Sequence, residues 1–227
     1  MHYQTKGIVL SKVKYAESSI ICKIYTSEFG TQSYIVNGVR KKKGNSGYYQ
    51  VLNLLDLNVY NKNGKDLHRI KEVKMSRVYA NIPFDVYKSS IALFIAEVLS
   101  KCLKEEIDNR DLFLFLEESL IHLDENEFDS QFHIRFLVSL SQYLGIFPSV
   151  EHHGLKYFDL LNGEFTNSTE QHKHYSTNTE DIYLAFNHNK VKNKREILNI
   201  LLEYYSLHIE GFNAIKSKDV LEKVLSA

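Results

Sequence analysis

The chain has 227 residues, and its 44% hydrophobic and 25% charged residues are typical of a globular protein and exclude a disordered or fibrous one. Two cysteines are too few for a disulfide framework, and no stretch is apolar for long enough to span a membrane. Cys22 and Cys102 lie in apolar runs, and the first residues lack the layout of a secretory signal. We therefore expect reduced, buried thiols and a cytoplasmic protein.

The formal net charge of zero conceals two oppositely charged halves. Residues 1–80 hold 14 Lys and Arg against 5 Asp and Glu, whereas residues 81–227 hold 14 against 23. The first part also carries eight of the 15 tyrosines but one phenylalanine, Phe29. This asymmetry predicts two domains, 1–80 and 81–227, and a basic first domain points to a polyanionic partner.

The first 80 residues predict a β meander, because β-branched and aromatic residues alternate with polar ones between turn signals. The predicted strands cover 5–15, 19–26, 31–39, 51–60 and 67–80. Five short strands at hairpin spacing favour a small closed barrel of the oligonucleotide/oligosaccharide-binding (OB) type.

After Pro83 the apolar period changes from two to about 3.6, which marks the domain boundary. Asp85 is a candidate N-cap for the first helix. Helices are predicted at 87–103, 109–123, 130–144, 194–208 and 217–225, and a hairpin turns at Asn162-Gly163. Residues 167–178 are polar and predict a loop. The fold class is therefore α+β, with an OB-type barrel followed by a helical bundle that carries a small hairpin insertion at about 150–192.

A strongly basic segment follows the third predicted strand, in the sequence YIVNGVRKKKGNSG. Its four adjacent cations, Arg40, Lys41, Lys42 and Lys43, repel one another unless solvent or a polyanion screens them. A solvated loop that keeps the protein soluble is the alternative explanation.

Further cations of the same domain could join this segment in binding phosphates without reading sequence: Lys6, Lys12, Lys14, Lys23, Lys62, Lys65, Arg69 and Lys71. Tyrosines interleaved with them could stack bases: Tyr15, Tyr25, Tyr34, Tyr48 and Tyr49. For any one of these tyrosines a core or rim position in the barrel is the preferred interpretation, while the set favours nucleic-acid binding.

Motifs spread along the chain resemble the bacterial RecO recombination mediators. They are TKGIVL, AESS, YTSEFGTQSYIVNGVRKKK, YFDLLNGEF and EYYSLHIEGFNAIKSKDVLEKVL. The resemblance implies an N-terminal barrel that binds single- and double-stranded DNA and a helical domain with a zinc-ribbon-like insertion in many members. It further implies strand annealing, contact with the acidic C-terminal tail of single-strand-binding protein, and RecA loading together with RecR.

The sequence departs from that family in its insertion. Many members carry two Cys-x-x-Cys pairs there, whereas residues 150–190 contain no cysteine. The histidines in this region are His152, His153, His172, His174 and His188, at irregular spacing. We therefore expect a metal-free hairpin and no cofactor, with an all-His or mixed His/Asp metal site as the alternative.

A partner tail that is acidic and ends in apolar residues requires an apolar groove with a cation at its mouth. Two arginines in the helical domain fit this description: Arg135 beside Phe132 and Phe136, and Arg110 beside Leu112 and Phe113. The alternative for either arginine is a surface ion pair.

The sequence shows no Walker-type loop, nucleophile elbow or paired acidic motif with metal spacing. Asp124, beside His122, and the pair Glu117-Glu118 look like an ordinary charged helix face. We therefore predict a non-enzymatic mediator. The alternatives are a protein–protein adaptor whose barrel no longer binds DNA and, more remotely, a metal-dependent nuclease.

Overall fold

A computed structural model describes residues 2–39, 46–61, 66–103, 109–152 and 154–226. The chain forms two compact units, one made of residues 1–128 and 215–227 and the other of residues 129–214. Helices that follow the barrel thus belong to the same unit as the barrel. The division into domains 1–80 and 81–227 stays a prediction.

The first unit is built on a closed barrel of five strands: β1 (His2–Tyr15), β2 (Ser19–Thr26), β3 (Gly30–Val36), β4 (Leu54–Tyr60) and β5 (His68–Met75). Their order around the barrel is β1-β2-β3-β5-β4. All pairs are antiparallel except β3 with β5, which closes the barrel through Tyr34 opposite His68 and Ile35 opposite Arg69. The predicted five-stranded OB-type barrel is confirmed.

Alternation along the strands places one set of side chains inside the barrel. Val9, Cys22, Ile24, Leu57 and Val59 are all almost fully buried there. Strand β4 begins three residues later than predicted, because Leu52 has a φ of +66° and interrupts the extended backbone. Leu52 is nevertheless held in place, since its N–H donates to the Val9 carbonyl at 2.7 Å.

Three helices complete the first unit: α1 (Val86–Cys102), α2 (Arg110–Glu125) and, from the end of the chain, α6 (Ser217–Leu225). Asp85 caps α1 as predicted, because its carboxylate accepts the N–H groups of Tyr87 and Lys88. Helix α6 lacks a side-chain cap of its own. Its first N–H groups instead donate to a carboxylate of α1, that of Glu97.

Glu97 accepts hydrogen bonds from the Lys216 N–H at 2.9 Å, the Ser217 N–H at 2.8 Å and the Ser217 hydroxyl at 2.7 Å. Burial opposes ionisation of this carboxyl, but the bonds from Ser217 and Lys216, with Lys101 nearby, lower its pKa to about 2. Glu97 therefore stabilises the ionised, folded state and fixes the start of α6 against α1.

We expect Glu97→Gln to lower the free energy of unfolding at pH 7 by about 1–2 kcal/mol, the usual cost of losing a helix cap. Because the folded pKa is lowered, the contribution is complete above the ordinary value of 4.5 and is lost as the pH falls towards 2. The difference between wild type and variant should therefore shrink below pH 4.5, measured by urea unfolding across pH. Glu17→Gln, in the exposed turn after β1, is the control and should show no such difference. A difference that stays constant with pH would contradict this role.

The second unit contains α3 (Phe132–Tyr143), α4 (Thr179–Phe186) and α5 (Lys194–His208), with a small sheet of β6 (Tyr157–Asp159), β7 (Glu164–Thr166) and β8 (Tyr175–Ser176). The predicted hairpin is confirmed, and Gly163 at its turn has a φ of +69°. A Cβ at this position would lie 2.7 Å from the Tyr204 hydroxyl, which itself donates to the Ile146 carbonyl. Glycine is thus required both by the backbone and by the packing.

The small sheet rests on an aromatic cluster. The Phe158 ring, fully buried, lies 5.0 Å from that of Phe165 and 6.3 Å from those of Phe186 and Tyr204. Helix α4 was not predicted from the sequence, because its first turn is polar and only Ile182, Ala185 and Phe186 supply its buried apolar face. Within the described residues no helix is long and apolar enough to cross a membrane.

Candidate nucleic-acid interface

One row of side chains runs around the outside of the barrel in direct register. Val13 is opposite Ile21, Ile21 opposite Ile35, and Ile35 opposite Arg69. The row continues from Arg69 to Tyr60 and from Tyr60 to His2. We call these six residues the outer row. Each of them is half-buried or exposed. On β2, for example, Ile21 lies between Ile20 and Cys22, which point into the barrel.

Two of the predicted DNA-binding cations lie on this outer face. Arg69 belongs to the outer row, and Lys23 is opposite Ser33 in the neighbouring register position. Ser33 and Ile35 are two residues apart on β3, so Lys23 and Arg69 point to the same side of the sheet. The barrel therefore presents two cations next to exposed apolar and aromatic side chains.

Lys14 lies on the opposite side of the β1–β2 hairpin. It is opposite Ile20, whose side chain is buried, whereas Lys23 alternates with the buried Cys22 and Ile24. Lys12 shares the side of Lys14, and its ammonium group donates to the Gln50 side chain at 2.9 Å. The predicted cations of β1 and β2 are thus divided between two faces.

Lys6 has an acidic environment. Its Nζ lies 2.6 Å from a carboxylate oxygen of Glu117 on α2, and across the sheet it is opposite Asp56. A phosphate would have to compete with these carboxylates for the ammonium group. Lys6 is therefore separated from the cations of the outer row.

Tyr34 was a candidate for stacking a base, and that prediction is wrong, whereas the preferred interpretation of a core position is confirmed. Its ring is fully buried inside the barrel, next to Cys22 and Tyr49, and burial raises its pKa. Tyr25 and Tyr49 are buried as well, whereas Tyr15 is 48% exposed. Tyr60 was not among the predicted stacking residues, although Leu55, Leu57 and Val59 before it show the alternation that points Tyr60 outwards.

Arg40, Lys41, Lys42, Lys43 and Lys62 lie outside the described residues. Before Arg40 in the chain, strand β3 ends at Val36, which is opposite Ile20, and Val39 is buried in the barrel core. The DNA-binding role of these cations stays a prediction.

The prediction of a partner groove at Phe132 and Phe136 is wrong, because both rings are buried and stack on each other with centroids 6.5 Å apart. Arg135 between them forms an ion pair with Asp129. The alternative of an ordinary ion pair is therefore confirmed for Arg135.

Arg110, the other predicted partner residue, lies at the start of α2 beside a cleft of about 570 Å³. The cleft lies between α2 and strands β1, β4 and β5, with Phe113 and Leu114 as its apolar wall. Among the described residues, its charged lining comprises three cations and four carboxylates: Lys6, Lys74, Arg110, Glu28, Asp56, Glu72 and Glu117. This lining does not favour an acidic tail, and the role of Arg110 stays a prediction.

The side chains of the hairpin region do not fit the zinc site that the family resemblance implies for many members. Asp159 already accepts the N–H groups of Leu161 and Asn162 and the Asn162 side-chain amide. His172 Nδ1 accepts the His174 N–H, so Nε2 carries the proton and donates to Asp159 at 3.2 Å. Both nitrogens of His172 are thus in use.

Within the described ranges, which omit His153, no group of three or more His, Cys, Asp or Glu is placed to hold a metal ion. The hydrogen bonds of Asp159 and His172 connect the hairpin turn to the following loop. The absence of a cofactor stays a prediction.

The barrel with its outward cations and the helices that follow it define the class: an OB-type protein with a helical extension. The family profile for the N-terminal part of recombination protein O matches residues 1–79, and the profile for its C-terminal part matches residues 83–219. The chain belongs to the RecO family.

Curated proteins similar to this chain match it over nearly their full length. The DNA repair protein RecO of Flavobacterium johnsoniae is 34% identical, with 100% of both chains covered. That of Bacteroides fragilis is 37% identical over 99% of both chains, and that of Porphyromonas gingivalis is 30% identical over 96% of both. This membership supports a role as a DNA repair and recombination mediator.

Proposed function

We propose that the protein is a non-enzymatic mediator that binds single- and double-stranded DNA through its barrel and promotes annealing of complementary strands. The observation that carries this proposal is the placement of Lys23 and Arg69 on one outward face of an OB-type barrel in a RecO family chain. The basic segment 40–43 of the same domain supplies further phosphate ligands.

In this proposal the protein acts with RecR to load RecA onto DNA coated by single-strand-binding protein, and it contacts the C-terminal tail of that protein. The names of the curated relatives support the setting of DNA repair. A cytoplasmic, nucleoid-associated location belongs to the same proposal.

The proposal is tested by the salt dependence of binding to an unstructured single-stranded oligonucleotide. Six phosphate contacts, from Lys23, Arg69 and the segment 40–43, correspond to a slope of log K against log salt of about −4. Affinity should then fall about 300-fold between 50 and 200 mM salt, measured by fluorescence anisotropy. Binding that is undetectable at 50 mM salt would overturn the proposal and favour an adaptor that does not bind DNA. Loss of intact oligonucleotide in the presence of Mg²⁺ or Mn²⁺ would instead indicate a nuclease.

A further inference from the structure

We propose that the outer row binds the unpaired bases of single-stranded DNA, with Tyr60 as the residue on which a base stacks and Arg69 as its cationic neighbour. This inference rests on the proposed function, since it assigns the part of the barrel that meets the bases.

The register of the barrel brings the necessary groups together. Tyr60 on β4 and Arg69 on β5 are directly opposite each other, and Ile35 on β3 is the next member of the row. Side chains opposite each other on neighbouring strands have Cβ atoms about 5 Å apart. A nucleotide that stacks its base on Tyr60 can therefore place its phosphate within reach of the Arg69 guanidinium.

The Tyr60 ring is exposed to solvent and is held by a neighbouring ring. It is 39% exposed, and its other neighbour in the row, His2, has a ring whose centroid lies 4.2 Å from that of Tyr60 at an angle of 48°. A tyrosine held from one side loses little conformational freedom when a base stacks on it. Stacking on an aromatic residue depends weakly on the base identity, because every base has a π-face.

The remainder of the row is apolar. Val13 is 58% exposed, and Ile21 and Ile35 are half-buried. Bases of a single strand can lie against such a surface, whereas bases in a duplex are already stacked on one another and expose mainly their phosphates. The outer row should therefore discriminate in favour of single strands, while the cations bind both forms.

Helix α2 leaves this face accessible. It lies across the barrel near Lys6, Asp56 and Asn58, which line the cleft against Phe113. These positions precede Tyr60 on β4 and follow His2 on β1, and the members of the outer row remain half-buried or exposed.

The test compares two 20-nucleotide ligands with the same phosphates, oligo(dT) and an abasic oligomer, in fluorescence anisotropy at 50 mM salt. The wild type should bind oligo(dT) about 10-fold more tightly than the abasic oligomer. Tyr60→Ala should remove most of this difference by weakening oligo(dT) binding alone, whereas Tyr60→Phe should retain it because the ring remains.

Tyr3→Ala is the matched control. Tyr3 is 38% exposed, is also next to an aromatic ring, that of Phe29 at 5.3 Å, and lies on the other side of β1 from His2. It should leave both affinities unchanged.

Tyr60→Leu, which keeps an apolar side chain in the strand, should behave like Tyr60→Ala if the ring itself is required.

The outcomes separate this inference from the proposed function. If the wild type binds both oligomers equally, or if Tyr60→Ala preserves the preference for oligo(dT), the barrel binds DNA without base stacking at Tyr60 and the inference is overturned. If the wild type binds neither oligomer, the proposed function fails and the inference fails with it.

Discussion

Replacing Asp124 by alanine should lower the free energy of unfolding by about 3–5 kcal/mol, the cost of removing one member of a buried charged network. The Asp124 carboxylate is 2% exposed and accepts the N–H groups of Ala80, Asn81 and Ile82 at 2.8–2.9 Å. In the variant these three donors would lose their partner, and the N–H group of Ile82 would be left buried without one. The segment that joins the barrel to α1 would lose its anchor.

Lys88 increases the loss of stability expected for Asp124→Ala. It is 6% exposed, and its ammonium group donates to the carbonyl oxygens of Asp124 and Asn126 at the end of α2. Its charge is balanced by the nearby carboxylate, so Asp124→Ala also leaves a buried cation without its counterion. The expected fall in melting temperature is roughly 10 °C.

The control for Asp124 is Glu118→Ala, at an exposed position of the same helix, which should change stability by less than about 0.5 kcal/mol.

Burial opposes ionisation of Asp124, yet the three backbone N–H groups and Lys88 lower its pKa below the ordinary value of 3.8. Its contribution should therefore be complete above pH 3.8 and be lost in more acidic solution. Equal melting temperatures of Asp124→Ala and wild type at pH 7 would refute this role.

Asp124 also shows where reasoning from the sequence ends. Its neighbours His122 and Glu118 predict an exposed charged face, and the groups that it binds lie more than 40 residues away in the chain. Glu97 is comparable, because it caps a helix that begins about 120 residues later. Local periodicity contains no information about such partners, so Asp124 looked ordinary in the sequence and Glu97 was not singled out.

The barrel itself was predictable because its strands alternate with a period of two and are separated by turn residues. The orientation of individual tyrosines was not, because it depends on which residue of a neighbouring strand lies opposite. Tyr34 is paired with Cys22 and His68, both buried, so its ring points inwards. Tyr60 is paired with Arg69, and its ring points outwards. One position of register decides whether a tyrosine is part of the core or of a binding surface.

The basic segment should make the largest single contribution to DNA affinity. Changing Arg40, Lys41, Lys42 and Lys43 together to glutamine should reduce the slope of log K against log salt by about 3, since each lost phosphate contact removes about 0.7. Affinity for a single-stranded oligonucleotide should fall roughly 5 × 10³-fold at 50 mM salt and roughly 10²-fold at 200 mM. Annealing of complementary strands should slow in parallel, measured by the loss of fluorescence of a labelled pair.

The matched control removes four cations from the second unit, with the same change in net charge. Lys156, Lys173, Lys190 and Lys192 are all exposed there, and their replacement by glutamine should leave the slope close to that of the wild type. If both quadruple variants lose affinity equally, the net charge of the protein governs binding and the assignment to the segment 40–43 is wrong. If only the first variant loses affinity, the remaining slope measures the contacts made by Lys23, Arg69 and their neighbours. Those contacts keep the outer face of the barrel near the DNA strand. A base can stack on Tyr60 only when the DNA is held there.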